Sequence, residues 1–312
     1  MIVILGTGQV GRAVLDQLQG TNPGTEILLV SKSGKAPFDL PPGTRIVGAD
    51  ATRPDSLIAL FESADRVFSC TDVPYTAWST FYPALAVAMT EGLRHTKAKL
   101  VFADNLYSYG NLKGQPIHEG LSHSAHTRKG RIRAELLARF GQQGVDDRVA
   151  VVKSSDFIGP RIEKGLFGVD FLRALHRGQT VNLPGNLRLP HHFTFIEDFA
   201  RAMVRVGLAE DAFQQTWHVP NAPAISPEAW VALFEQQTGR RIRYRAIPKL
   251  AVTAAGLFNA FVRELDELSY QFEYPYVVNS DKFIARFGDI STPHEKVVQE
   301  TLRWFDAQRA VS

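Results

Sequence analysis

Six residues near the amino terminus, Gly6-Thr7-Gly8-Gln9-Val10-Gly11, have the types and spacing needed to hold a diphosphate. The first glycine permits a tight turn. The second lets the backbone approach a phosphate without a Cβ clash, and the third lets a helix pack closely on the preceding strand. Amides at the start of that helix then face the anion. Alone the spacing is weak evidence. Here it lies between an apolar run, Ile2 to Leu5, and Val10 to Leu18, whose Val10, Val14, Leu15 and Leu18 recur at helical spacing. That strand–loop–helix context supports a dinucleotide site. A glycine-rich structural turn is the plain alternative.

The end of the second strand bears on the choice of nicotinamide cofactor. An acid there would bind a ribose 2′-hydroxyl and repel a 2′-phosphate. The chain has Val30-Ser31-Lys32-Ser33-Gly34-Lys35, with hydroxyls and ammonium groups and no acid. This favours NADP, with NAD as the alternative. Asp50, in Gly48-Ala49-Asp50-Ala51-Thr52, can accept from an adenine amino group or can cap the helix beginning near Pro54. Ala51, Cys70 with Thr71, and Ser154 follow further strands and are expected beside the cofactor. Cys70 reads as a small packing residue rather than a reactive thiol.

The elements that must position these residues alternate. Strands are expected at Glu26 to Val30, Arg45 to Val47, Arg66 to Ser69, Lys99 to Ala103 and Arg148 to Lys153, with helices at Pro83 to Leu93 and Arg131 to Phe140. Strands alternating with helices imply a parallel sheet covered on both faces, a doubly wound Rossmann fold of the α/β class. Beyond about residue 155 proline becomes frequent and the rhythm changes. The expected organisation is a dinucleotide-binding domain over 1–155, rejoined at about 190–220 by the helix Ile196 to Val206 and the strand Thr216 to Val219. A smaller, mixed, discontinuous domain takes up 156–312.

Composition narrows the partners. The 312 residues carry 35 Lys plus Arg against 32 Asp plus Glu, a net charge of +3 that is too mild to imply nucleic acid. One cysteine excludes internal disulfides and a cysteine-based zinc cluster. The longest nearly apolar stretch, Leu250 to Val262, is too short to span a bilayer, and no signal peptide is recognisable at the start. The default expectation is a cytoplasmic protein with a small-molecule substrate, no membrane partner and no metal. His191-His192 lack an acidic partner at ligand spacing. Arg240 to Arg245 reads as a basic, solvated strand edge. Phe258 to Tyr276 reads as packing of the second domain. The aromatic loop Thr71 to Trp78 either lines a pocket or packs on the next helix.

With these residues in place the chain resembles the extended short-chain dehydrogenase/reductase superfamily, of the NAD-dependent epimerase/dehydratase type. The resemblance runs through the glycine loop, Asp50, Leu100 to Gly110, Ser155 to Pro160, Phe193 to Ala200 and the tail Asp281 to Trp304. It implies a nicotinamide cofactor and dimerisation through cofactor-domain helices, with Pro83 to Leu93 and Arg131 to Phe140 as the faces.

The catalytic motif departs from the resemblance. Members carry Tyr-x-x-x-Lys at the start of the helix near Arg131, the tyrosine as acid/base and the lysine holding the ribose. Matching Ala134-Glu135 puts Thr127 at the tyrosine position, Arg131 at the lysine position and Asn105 at the serine that polarises a carbonyl. No tyrosine stands between Asn111 and Arg148. An aliphatic hydroxyl titrates far above tyrosine's value of about 10, so Thr127 does not exchange a proton near neutral pH. Arg131 can still bind ribose hydroxyls, and Asn105 can donate to a carbonyl. Tyr107 follows the fifth strand and is a candidate for lining the pocket. Tyr109 matches the family's structural tyrosine. His123 and His126 flank the helix start and titrate in a useful range. Two readings follow: an NAD(P)-dependent oxidoreductase or epimerase/dehydratase-like enzyme, with Asn105, Tyr107, Thr127 and Arg131 around the nicotinamide and a small or nucleotide-linked carbonyl or alcohol as substrate, or a non-catalytic dinucleotide sensor.

Overall fold

In the computed structural model residues 1–311 are described, and the side chains at 260, 261, 310 and 311 fall outside that description. The chain begins with β1 (Ile2–Leu5), α1 (Gln9–Thr21), β2 (Ile27–Ser31), β3 (Thr44–Gly48), α2 (Pro54–Glu62), β4 (Arg66–Ser69), α3 (Trp78–His95), β5 (Lys99–Asn105), α4 (Arg128–Gln142) and β6 (Val149–Ser154). An excursion follows through β7 (Asp156–Ile158), α5 (Val169–His176), β8 (Val181–Pro184) and β9 (Phe193–Phe195). Next come α6 (Ile196–Leu208), β10 (Gln215–His218), α7 (Pro227–Thr238), β11 (Tyr244–Ile247), α8 (Lys249–Gly256), α9 (Ala260–Asp266), α10 (Asp281–Phe287) and α11 (His294–Val311).

Two compact units result. The first holds residues 1–108, 123–153 and 199–217; the second holds 109–122, 154–198 and 218–312. The first contains the doubly wound sheet, a seven-stranded array ordered β10-β6-β5-β4-β1-β2-β3. Its centre is parallel, with Leu5 opposite Val30 on one side and Ser69 on the other. A strand covered on both faces must be apolar throughout. Val3, Ile4 and Leu5 accordingly have no exposed surface. Helix α1 covers the sheet with Gly11, Ala13, Val14, Leu15 and Leu18, one stripe at helical spacing.

Helix α3 starts at Trp78, five residues before the expected start at Pro83. Proline is tolerated near a helix start, and Pro83 stands exposed in the second turn. Trp78 anchors the earlier start: it is buried, its Nε1 donates to the Val73 carbonyl at 3.0 Å, and its ring meets the Tyr82 ring edge-on at 4.8 Å. Burial of a large aromatic outweighed the proline signal.

The second unit packs around Phe167, whose ring lies 5.1 Å from both Phe171 and Phe193, with Trp230 and Phe234 beside it. Helix α7 is closed at both ends: the Ser226 hydroxyl accepts from Ala229 N, Pro227 takes the first turn, and Gly239 turns out with φ +65°. The segment 109–122, read from sequence as part of the first domain, belongs here. Tyr109 Oη lies 2.9 Å from His218 Nε2, Ile117 bridges to Val278, and Glu119 accepts from His218 N at 3.0 Å.

Two expectations for this unit need correction. Only Tyr244 onward of the basic run is a strand, pairing with β8; Ile242 before it is buried, and its N donates to Glu235 Oε1 at 2.7 Å. Phe258 does not pack the unit: it is 93% exposed in the turn between α8 and α9, beside exposed Leu257. Tyr270 and Tyr276 are buried as expected, and Phe261's side chain lies outside the described residues. No described helix is long and apolar enough to cross a membrane.

Candidate active site

The glycine loop leaves β1 and enters α1 with three different constraints on its glycines. Gly6 has φ +108°, and a Cβ on it would sit 2.7 Å from the Cys70 carbonyl oxygen. A Cβ on Gly11 would sit 2.0 Å from the Gly6 carbonyl oxygen. At Gly8 nothing lies within 4 Å of the Cβ position. So Gly6 and Gly11 hold the turn against the strand and the helix, while Gly8 opens on space. Gly8 is also the N-cap of α1 and makes no side-chain capping bond, and the first turn carries no acid. Thr7 completes the loop, and Gln9 and Val10 are the first residues of α1. Helix-start amides and the positive end of the helix dipole suit an anion. The cradle fits a dinucleotide's diphosphate.

The loop after β2 is closed on itself. The Ser31 hydroxyl donates to the Lys35 carbonyl at 2.8 Å and accepts from Lys35 N at 3.1 Å. Lys32 Nζ pairs with Asp50 Oδ2 at 3.0 Å, although the lysine side chain is 86% exposed. Asp50 does not cap α2, whose N-cap is Arg53. Instead it accepts from Thr52 N at 3.0 Å and Thr52 Oγ1 at 2.6 Å, a local turn in which Ala51 lies. Those bonds, with the Lys32 ammonium, lower its pKa to about 2. The acid therefore faces a cation that belongs to the loop where a ribose would be read.

The strand ends bring the next residues together. β4 runs beside both β1 and β5, so the sheet edge from Gly6 to Asn105 spans about 10 Å. Cys70 is buried there, its thiol pKa pushed up by burial, with Thr71 half-buried beside it. Asn105 Oδ1 accepts from Tyr107 N at 3.0 Å, which leaves the side-chain NH2 as the donor. Ser154 is buried at the end of β6.

Beyond β5 stands an aromatic cluster. Tyr107 is buried, and its hydroxyl lies 3.0 Å from the Tyr75 hydroxyl. The Trp78 ring stacks on Tyr107 at 6.1 Å and meets Tyr75 edge-on at 5.1 Å. Thus Thr71 to Trp78 lines this cluster and also packs on a helix.

Helix α4 supplies the cations, but not the expected one. Thr127 is its N-cap and accepts from Gly130 N at 3.1 Å. Arg131 is exposed and donates to the His126 carbonyl at 2.7 Å. The buried face of the helix carries Lys129 and Arg133 instead. Lys129 has no exposed surface, and its Nζ lies 5.0 Å above the Tyr75 ring. The Arg133 guanidinium lies 3.9 Å over the Tyr82 ring and 4.6 Å over Trp78, and donates to Tyr82 Oη at 2.7 Å. Arg133 and Lys153 both pair with buried Asp104; Lys153 also donates to the Asn105 carbonyl at 2.9 Å and to Ser108 Oγ at 3.0 Å. Burial works against these charges, and lowers the pKa of Lys153 even beside Asp104.

Lys129, Arg133, Asp104 and Lys153 escaped the sequence reading, and Tyr75 entered it only as part of the aromatic loop Thr71 to Trp78. The i, i+4 spacing of Lys129 and Arg133 was the available signal, since it puts both on one helix face with Leu136 and Phe140. His123 is part of the wall of a groove of about 480 Å³ with Phe140, Val149 and Gln214, and partial desolvation, helped by the Lys153 ammonium, lowers its pKa. His126 stays exposed. The adjacent pair in the second unit diverges: His191 Nε2 meets Asp156 Oδ2 at 2.9 Å, whereas His192 Nδ1 accepts from Val278 N at 2.9 Å.

The model of the NAD dependent epimerase/dehydratase family matches residues 2–219. Among curated proteins none matches. Solved structures do. A dTDP-glucose 4,6-dehydratase double mutant from Streptomyces venezuelae, with NAD and DAU bound, superposes with a TM-score of 0.79 at 15% identity, covering 100% of this chain and 98% of that one. A UDP-glucose-4-epimerase from Stenotrophomonas maltophila, with NAD and formylated UDP-arabinopyranose, gives 0.76 at 16%, covering 100% and 99%. The enzyme WbmH of Bordetella bronchiseptica, in complex with NAD+, gives 0.75 at 15%, covering 98% of each chain. At such identities they share the fold.

Proposed function

This chain belongs to the NAD dependent epimerase/dehydratase family, and on that premise we propose that it transfers a hydride between a nicotinamide dinucleotide and the carbonyl or alcohol carbon of a nucleotide-linked or small substrate. The observation that carries the reading is the glycine loop, in which Gly6 and Gly11 are sterically fixed and Gly8 alone is open. When bound, the cofactor supplies or accepts the hydride. The chain's residues do the rest. The helix-start amides of α1 hold the diphosphate. The Asn105 side-chain NH2 donates to the substrate oxygen, and Tyr107 lines the same strand end. Thr127 and Arg131 fix the start of α4 and the segment before it.

That structural relatives include a UDP-glucose-4-epimerase with formylated UDP-arabinopyranose bound and a dTDP-glucose 4,6-dehydratase supports a nucleotide-linked carbonyl or alcohol here. Those relatives carry NAD. In this chain the loop Ser31 to Lys35 has no acid, and Lys32 is an exposed cation, which supports a 2′-phosphate and thus NADP. The Asp50 carboxylate competes for that ammonium.

The test is a binding titration with NADPH and NADH, followed by turnover with a panel of nucleotide-sugar and small carbonyls. Tighter NADPH binding that Lys32→Ala abolishes, with turnover, is the expected result. NADH preference untouched by Lys32→Ala overturns the phosphate assignment. Binding without turnover on any member of the panel leaves the chain a dinucleotide sensor.

A further inference from the structure

We propose that the hydroxyls of Tyr107 and Tyr75 form the acid/base pair of this site, Tyr107 touching the reacting oxygen and Tyr75 passing the proton onward, with Lys129 as their positioning cation. The inference rests on the hydride-transfer reading above. It answers the gap left by Thr127, whose oxygen caps a helix.

The geometry has three parts. The two hydroxyls are 3.0 Å apart, so one donates to the other. A phenolate on Tyr107 would accept from Tyr75, and a hydrogen bond made to the charged form favours that form. Lys129, buried on α4, places its ammonium over the Tyr75 ring. Gly130 lets α4 come this close: a Cβ there would be 2.4 Å from the Tyr107 carbonyl oxygen. Trp78 packs against both rings and restricts water.

Several charges bear on the pair. From α4 come Lys129 and Arg133. Burial opposes the charge on Arg133, yet Tyr82, Asp104, Asp72 and Tyr107 around it outweigh that and raise its pKa. Asp72, after β4, accepts from Tyr82 of α3 at 3.0 Å and opposes a phenolate, as does Asp104 of β5. Asp104 is, however, engaged by Arg133 and by Lys153 of β6. Burial of Tyr107 opposes a phenolate; the α4 cations and the Tyr75 hydroxyl offset that penalty, and Asp104 is already paired.

The step balances. In reduction the substrate's carbonyl carbon takes a hydride from the reduced dinucleotide, and the carbonyl π pair takes the proton of Tyr107. The Tyr107 phenolate then recovers a proton from the Tyr75 hydroxyl, which takes one from water. Oxidation of an alcohol runs the same transfers backward.

The first readout needs no cofactor. The near-ultraviolet absorbance of tyrosinate is followed against pH in the ligand-free protein, for wild type, Tyr107→Phe, Tyr75→Phe, Lys129→Met and Lys129→Arg, with melting temperatures as the control for folding. Of eight tyrosines, one is expected to ionise about 1–3 pH units below the ordinary value near 10. That early step should vanish in Tyr107→Phe, move to higher pH in Tyr75→Phe and Lys129→Met, and return in Lys129→Arg. The second readout is kinetic. Tyr107→Phe should lower kcat by about 100-fold or more, with the KM for dinucleotide unchanged. Tyr75→Phe and Lys129→Met should shift the pH–rate profile to higher pH. An early ionisation that survives in Tyr107→Phe, or no early ionisation at all in the folded wild type, overturns the dyad. An early ionisation that behaves as expected in a protein without turnover leaves the dyad standing and removes the enzymatic reading instead.

Discussion

Two stretches of the same sheet edge are built from opposite materials. At the end of β1 the site is backbone: three glycines, bare amides and a helix start, with side chains excluded by clashes of 2.0 and 2.7 Å at Gly11 and Gly6. At the end of β5 it is side chain: two tyrosines, a tryptophan, and cations from α4 and β6 converging on Asp104. The first depends on what is missing from the residues, the second on what distant residues bring. A backbone site is set within six consecutive positions and tolerates almost no change. A side-chain site gathers residues from 72 to 153, and each member can be replaced if its charge or hydrogen bond is matched.

The side-chain region is where the largest energetic effect is expected. Asp104→Asn leaves Lys153 and Arg133 buried without their carboxylate and should cost about 3–5 kcal/mol in unfolding free energy, read by denaturant titration. A cost under about 1 kcal/mol would mean that the cluster is wet and the contrast weaker than drawn.

Buried charge elsewhere sharpens the point. His192, in the second unit, must stay neutral to accept from Val278 N. Burial, with His191 and His294, lowers its pKa from 6.5 to about 4. The unfolded chain therefore binds the proton first as pH falls. Stability from this group is complete above about pH 6.5 and declines down to about pH 4, by about 3 kcal/mol over the window. Melting temperature against pH checks this; a His192→Phe variant should lose that slope while paying about 1–3 kcal/mol at neutral pH for the unpaired Val278 amide.

The backbone region should respond to volume rather than charge. Gly11→Ala is expected to lose about 1–3 kcal/mol and nearly all dinucleotide affinity, since its clash is with backbone that cannot move aside. Melting and a fluorescence titration measure both. The smallest effect is at the rim: Lys32→Ala should weaken NADPH about two- to fivefold and leave NADH unchanged, the scale of one exposed charge pair.

The same contrast explains what the sequence disclosed. The alternation of apolar runs placed β1, β4 and α6 at or within a residue or two of their bounds, because buried parallel strands and amphipathic helices are written in local periodicity. The tight turn of the glycine loop was legible for a related reason: it is set by consecutive residues, with Gly6 and Gly11 held against backbone carbonyls. Lys129 was not, and Tyr75 was legible only as part of an aromatic loop, because the contacts of Tyr75 with Tyr107 and of Lys129 with Tyr75 come from tertiary approach across 32 and 54 positions. Arg131, matched by spacing to a ribose-binding lysine, lies on the exposed side of α4, since the helix face that buries starts at Lys129. Phe258 misled by composition alone: an aromatic in a turn between two short helices finds no layer to enter.

The most direct measurement is calorimetric titration of NADPH and NADH into Gly8→Val beside the wild type. Nothing in the protein lies within 4 Å of that Cβ position, so the variant should fold and melt only a few degrees below the wild type, the cost of Val at the N-cap of α1. Its expected result is loss of binding of both dinucleotides, because the side chain stands where the diphosphate meets the amides. Wild-type affinity in Gly8→Val would contradict a diphosphate held by this loop.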